Sequence, residues 1–212
     1  MPTEQAIPPT VGSILAGGLA RRLGGGDKSL RTIGGRTVLA RLIERLAPHV
    51  TRLIINANDD PRRFEGFGLP IVADSLPGHP GPLAGVLAAL EWSARSEPAI
   101  EWVVTVPGDA PFLPADLVQR LHAARHREAA TLACAASLGR THPVAALWPV
   151  SIQNELRSAV VDRGIRAVGE FTADYSCAVA RWDADPVDPF FNVNTPEDLA
   201  EAGRLVAVHP EL

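Results

Sequence analysis

Cysteine is scarce in this chain, with two in 212 residues. Cys134 and Cys177 stand far apart, each in an apolar context. Two buried free thiols are therefore expected, with a disulfide or a shared metal as the lesser alternative. Long apolar runs are missing too. None approaches the roughly 20 residues that cross a bilayer, so no membrane partner is expected. Met1–Thr10 has neither the basic start nor the apolar centre of a secretion signal, and the expected location is cytoplasmic. Positive charge is not in excess, the net charge being −4 at pH 7. A nucleic-acid binder normally shows a basic face, so no nucleic acid is expected as a partner. Any polyphosphate must instead be met by locally concentrated cations. The six histidines show no metal-ligand spacing, and no Ser-His-Asp or Cys-His set stands out. With 46% apolar and 21% charged residues, the composition is that of an ordinary globular protein without repeats or linkers. The length fits one domain with a full core, expected over residues 11–212 behind a tail at 1–10.

Glycine and positive charge are concentrated near the start. Leu15–Leu30 reads L-A-G-G-L-A-R-R-L-G-G-G-D-K-S-L and follows Val11–Leu15, a short apolar run suited to a buried strand. A strand that empties into a glycine-rich, cationic loop lets backbone N–H groups close around phosphate. The G-x-x-x-x-G-K-[ST] pattern is absent, because Asp27 and not glycine precedes Lys28, and the G-x-G-x-x-G pattern is absent as well. A plain flexible turn has a similar composition. Arg22 and Lys28 argue against that, since cations beside bare backbone suit triphosphate oxygens. The loop is read as the holder of a nucleoside triphosphate whose nucleotide part the chain transfers.

Further along, strands and helices alternate. Thr37–Leu46 carries apolar residues at helical spacing, and Pro48 closes it. Val50–Asn56 and Leu69–Ala73 read as strands. The turn Pro77–Gly85 feeds a helix over Leu83–Ala94. Glu101–Val106 reads as a strand that runs into Pro107-Gly108-Asp109-Ala110-Pro111. Pro114 is expected to start a helix through Arg127. Ala129–Ala136 and Pro143–Trp148 read as strands, Val150–Val161 as a helix, and Ser176–Trp182 as a last strand or edge. Thr195-Pro196-Glu197-Asp198 has the form of a capped helix start. This alternation predicts an α/β fold, a Rossmann-like three-layer αβα sandwich with a mostly parallel sheet.

In such sheets ligands bind beyond the carboxyl ends of the strands. The polar punctuation falls there, at the opening loop, Asn56, Asp74 and Asp109. Asp109, held between prolines at a strand end, suits a Mg²⁺ ligand, because magnesium takes few protein oxygens and completes its shell with phosphate and water. It equally suits a helix cap. A carboxylate such as Asp74 can accept both N1–H and the exocyclic amine of guanine, although a solvated turn Asp has the same sequence signature. Asn56 is a binding candidate or a turn former. Asn192 and Asn194 either offer carbonyl oxygens to a metal or ligand, or shape the turn before the last helix. His142 is expected to be structural or exposed, and Trp92, Trp102, Trp148 and Trp182 to pack.

Four segments occur together: L-A-G-G-x-x-x-R-x-G-G-x-D-K at Leu15–Lys28, D-S-L-P-G-H-P-G-P-L-A-G at Asp74–Gly85, P-G-D-A-P-F-L-P at Pro107–Pro114, and F-N-V-N-T-P-E-D-L at Phe191–Leu199. In order and spacing they resemble the molybdenum cofactor guanylyltransferases, within the wider nucleotidyltransferase family that makes sugar nucleotides. The resemblance spans the chain from Gly12. It implies Mg²⁺-dependent transfer of GMP from GTP to molybdenum-molybdopterin, with release of pyrophosphate. Leu15, Ala16 and Gly17 would then contact the nucleotide through backbone. Lys28 and Arg22 would hold its phosphates, Asn56 and Asp74 would read ribose and base, and Asp109 would ligate magnesium. Asn192 and Asn194 would lie on the pterin side. A monomer is expected, with other molybdenum cofactor biosynthesis proteins and molybdoenzyme chaperones as further partners. Cytidylyl-transferring relatives usually have L-A-A-G where this chain has Leu15-Ala16-Gly17-Gly18, and the second glycine favours a purine. Pro107-Gly108-Asp109 departs from the P-C-D common among close relatives. The alternatives are cytidylyl transfer, a sugar-1-phosphate nucleotidyltransferase, and a non-enzymatic nucleotide or cofactor carrier.

Overall fold

A computed structural model describes residues 7–17, 25–76, 78 and 81–210. Its main sheet has seven strands: β1 (Thr10–Leu15), β4 (Arg52–Asn56), β5 (Ile71–Val72), β6 (Trp102–Pro107), β7 (Leu132–Ser137), β8 (Arg140–Pro149) and β9 (Cys177–Arg181). They lie in the order β5-β4-β1-β6-β8-β7-β9. A two-residue pair, β2 (Thr32–Ile33) and β3 (Arg36–Thr37), forms a separate hairpin. β8 runs antiparallel to both β6 and β7, whereas the other pairings in the main sheet are parallel. The mostly parallel αβα sandwich is therefore what the chain forms.

Alternation along the strands builds one core on each face of the sheet. Ile14, Leu53, Ile55, Val104 and Val106 face one core, with α1 (Val38–Leu46), α3 (Leu117–Arg127) and α6 (Pro196–Val208). Val11, Ile54 and Val103 face the other, with α2 (Pro82–Ser96), α4 (Gln153–Val161) and α5 (Val168–Thr172). In α1 the apolar residues Val38, Leu39, Leu42 and Leu46 share one buried face, and the Thr37 hydroxyl accepts from Ala40 N at 3.1 Å. Such a cap stabilises a helix by about 1 kcal/mol. Helix α2 is buried without interruption from Leu83 to Leu90, because it crosses the middle of the sheet. Thr195 and Asp198 cap α6 reciprocally, as their spacing predicts.

Several boundaries differ from the pattern reading. Pro114 does not begin a helix. Pro114–Asp116 makes a turn, Leu117 N donating to Pro114 O at 3.2 Å, and α3 starts afterwards. The strand expected over Ala129–Ala136 starts only at Leu132, since Ala129 takes a positive φ of 47° that ends the preceding helix. The β2–β3 hairpin, α5 and a 3₁₀ segment at Pro61–Phe67 are too short to carry a period. The two cysteines, distant in sequence, stand on adjacent parallel strands β7 and β9; both are free, Cys134 buried and Cys177 partly so. Neighbouring Cys177 and burial together push the Cys134 thiol up. His142 is structural: its Nε2 lies 2.7 Å from Ser137 Oγ, and its ring stacks on Phe190. Trp148 is fully buried and donates to Thr105 Oγ1 at 2.9 Å, so its one polar group is satisfied.

Candidate active site

β1 lies where the topology reverses. The chain leaves β1 toward β4 and β5 on one side, then crosses through α2 to β6 on the other. β1, β4, β5 and β6 run in one direction, so their carboxyl ends share one edge, the switch point where open α/β sheets form ligand crevices. A cavity of about 420 Å³ occupies that edge. Its lining includes Leu15, Ala16 and Gly17 after β1, Asn56 at the end of β4, Asp74 after β5 and Asp109 after β6, together with Lys28 and Asn192. The volume is within the range of small-molecule sites. Asn194 joins them through Lys28. Arg22 belongs to residues 18–24 and is outside the described residues.

Two polar groupings line this cavity. The first is built around Asp74. Asn56 Nδ2 donates to Asp74 Oδ1 at 2.9 Å and to Val72 O at 3.1 Å. Asn58 Nδ2 donates to Asp74 Oδ2 at 2.9 Å, and its Oδ1 accepts from Asp74 N at 2.9 Å. The carboxylate is thus oriented by one amide on each oxygen. Close approach of α2 makes this possible. A Cβ on Gly85 would stand 2.4 Å from Asn56 Oδ1, so glycine alone leaves room for the Asn56 amide.

The second grouping joins three stretches of chain. Lys28 Nζ donates to Asp109 Oδ2 at 3.2 Å and also to Asn194 Oδ1. Lys28 opens a 3₁₀ turn, Lys28–Leu30, in which Arg31 N donates to Lys28 O at 3.1 Å. Asp109 is carried by a turn packed on β1: Gly108 N donates to Leu15 O at 3.0 Å, and a Cβ on Gly108 would come 2.7 Å from that oxygen. Val193 N donates to Asp109 O at 2.8 Å and ties the F-N-V-N segment to the same turn. Asn194 N then donates to Asp198 Oδ2 at the start of α6.

This donor set fits a hard divalent cation. Asn192 Oδ1 is buried without a hydrogen-bond partner, lines the cavity, and stands one residue from the Asp109–Val193 link. With the Asp109 carboxylate it would supply two oxygens. Among the described residues there is no group of three or more His, Cys, Asp or Glu side chains able to hold a metal. A cation here would take the rest of its shell from phosphate and water, the habit of magnesium.

Two functional candidates escape the pattern reading. Asn58 lies two residues beyond Asn56, the period that returns a side chain to the same side of an extended segment, and that signal was available. Arg63 had none; it meets Asp27 across 36 positions, Nη1 to Oδ2 at 2.5 Å. The Ser29 hydroxyl, also in the cavity lining, is buried without a partner.

The chain matches the MobA-like NTP transferase domain over residues 12–181. It is 58% identical to a molybdenum cofactor guanylyltransferase of Rhodopseudomonas palustris (strain BisB5), over 93% of this chain and 94% of that protein. It is 56% identical to one of Nitrobacter hamburgensis, over 95% and 97%. Among solved structures, a molybdopterin-guanine dinucleotide biosynthesis protein A from Archaeoglobus fulgidus superposes with a TM-score of 0.74. That likeness covers 93% of this chain and 99% of the other at 21% identity, and it bears on the fold.

Proposed function

We infer the activity of this chain from the family to which it belongs, the MobA-like NTP transferases, and from the chemistry of the cavity at its strand ends. It transfers GMP from GTP to molybdenum-molybdopterin, producing molybdopterin guanine dinucleotide and pyrophosphate. The observation that carries the reading is the meeting, in one cavity, of an amide-oriented carboxylate with a lysine–carboxylate pair.

The terminal phosphate of molybdopterin attacks the α-phosphorus of GTP in line. A P–O bond forms, the α–β bridging P–O bond breaks, and its electron pair leaves on pyrophosphate. The attacking phosphate is already anionic, so no general base is needed. The work of the chain is positioning and charge neutralisation. Lys28, partnered with Asp109 and Asn194, presents an ammonium to the triphosphate, and Arg22 serves as the second cation of the same loop. Leu15, Ala16 and Gly17 pack backbone against the nucleoside. Asp74 accepts from the guanine N1–H and exocyclic amine while Asn56 holds it and meets the ribose. Asn192 and Asn194 face the acceptor side. Asp109 and Asn192 would hold Mg²⁺, which when bound neutralises triphosphate charge.

Guanine is favoured over cytosine by Gly17. A Cβ there would make only an ordinary contact, 3.6 Å from Asn58 Nδ2, so the glycine relieves no clash within the protein and what it leaves is room for a ligand. The testing experiment is pyrophosphate release: it is expected only when GTP, Mg²⁺ and molybdenum-molybdopterin are all supplied. Absence of turnover with every nucleotide, alongside tight cofactor binding, would point to a carrier.

A further inference from the structure

Arg63 lies on the 3₁₀ segment Pro61–Phe67, outside the cavity lining, yet it bonds Asn58 of the first grouping and Asp27, the residue before Lys28 of the second. Its Nη1 donates to Asp27 Oδ2 at 2.5 Å, its Nη2 to Asn58 O at 2.8 Å and its Nε to Asp60 O at 3.0 Å. Asp27 precedes Lys28. Its carboxylate is almost wholly buried, its side chain only 6% exposed. Asn58 is the residue whose amide orients Asp74. One planar guanidinium therefore spends its donors on the stretch that carries the cation and on the turn that steadies the carboxylate. A guanidinium can do this because its donors lie in a rigid fork, whereas a lysine ammonium is a single point charge.

We propose that Arg63 is a positioning residue that locks the Lys28 turn to the Asn58–Asp74 pair, so that the phosphate-holding and base-reading parts of the site keep a fixed spacing. The proposal rests on the roles given above to Lys28 and Asp74. Without Arg63, the buried Asp27 carboxylate loses its counter-charge and the neighbouring Lys28 ammonium is the nearest cation in sequence to replace it. Lys28 would then be drawn from the triphosphate.

The test compares Arg63→Ala, Arg63→Lys, the double variant Asp27→Asn/Arg63→Ala, and Arg62→Ala as control. Arg62 is on the same segment, but it is exposed and bonds Asp60. Binding is read with GTP and with inosine triphosphate, which lacks the exocyclic amine. Arg63→Ala is expected to weaken both ligands on the order of 10- to 10²-fold, the range for losing one hydrogen bond to a charged group. Arg63→Lys keeps a charge opposite Asp27 but loses the fork to Asn58, so it should bind both ligands and favour GTP less. In the double variant the stranded carboxylate is gone and triphosphate affinity should recover in part. A ligand-free readout accompanies these: amide exchange at Leu30 and Arg31, whose N–H groups bond Asp27 O and Lys28 O. It should speed up in Arg63→Ala and stay unchanged in Arg62→Ala. A wild-type protein that binds neither nucleotide would contradict the functional reading, and the exchange result would still decide the clamp. Unchanged exchange, or nucleotide affinity within about twofold of wild type in a folded Arg63→Ala, overturns the proposal.

Discussion

Gly85→Ala offers a test in which local propensity and tertiary structure predict opposite signs. Gly85 is in the interior of α2, and glycine there is less favourable than alanine by about 0.8–1.0 kcal/mol, so propensity alone predicts stabilisation. The new Cβ, however, would stand 2.4 Å from Asn56 Oδ1 and 3.2 Å from Leu15 Cδ2. Relief requires the Asn56 amide to move by about 1 Å to regain van der Waals separation. Asn56 is 4% exposed and bonds both Asp74 and Val72. Losing a hydrogen bond to a charged group costs about 1.5–3 kcal/mol, and overpacking adds about 1–3. Net of the helical gain, destabilisation of about 3 kcal/mol is expected. For a chain of this size that lowers the unfolding temperature by roughly 6–12 °C. The same shift removes one of the two amides orienting Asp74, so GTP affinity should fall about tenfold for each 1.4 kcal/mol of lost orientation. Calorimetry and a GTP titration read the two effects. An unfolding temperature equal to or above wild type, with GTP affinity retained, would refute the packing argument.

Lys28→Met should leave the fold intact and lower the rate of pyrophosphate release on the order of 10²–10³-fold, the range seen when one preorganised charge stabiliser is removed. Asp109→Asn should abolish metal-dependent turnover, and metal titration of initial rates would report it; near-normal rates would locate the metal elsewhere. Burial, helped by the Arg125 charge, lowers His122 from its usual 6.5 to about 4. The unfolded chain therefore takes up a proton below pH 6.5 that the folded chain refuses until near pH 4. Stability from this residue is complete above pH 6.5 and is lost as pH falls toward 4, by about 3 kcal/mol in all. Urea midpoints at pH 7 and pH 4.5 should diverge less in His122→Asn than in wild type.

The strand ends were legible where an apolar run is stopped by a polar residue, and period-2 burial leaves the polar residue at the sheet edge. Asn56 ends β4 in that way, and Asp74 and Asp109 stand two residues beyond β5 and β6, whereas β1 runs from Leu15 into Ala16 and Gly17 and was marked by glycine instead. The direction of β8 was not legible. Its apolar pattern is the same whichever way it runs, and only the two-residue connection from β7, at Leu138 and Gly139 with φ of 49° and 75°, makes it turn back. The proximity of Cys134 and Cys177 depends on β7 pairing with β9, a contact across some forty residues that no local spacing encodes. Arg63 illustrates the same limit at the site. Its neighbours Pro61, Arg62 and Phe64 look like any capped 3₁₀ turn, and its partner is a carboxylate on another loop.

The central claim is that one cavity reads guanine through Asp74 and transfers the attached nucleotide. Its most direct test is the ratio of kcat/KM for GTP over CTP, with molybdenum-molybdopterin as acceptor, in wild type and in Asp74→Ala. A carboxylate that accepts from two base donors discriminates by about 1–3 kcal/mol, so wild type should prefer GTP by at least about fivefold and Asp74→Ala should lose most of that preference. Equal use of CTP by wild type, or a GTP preference that survives in Asp74→Ala, would contradict the account.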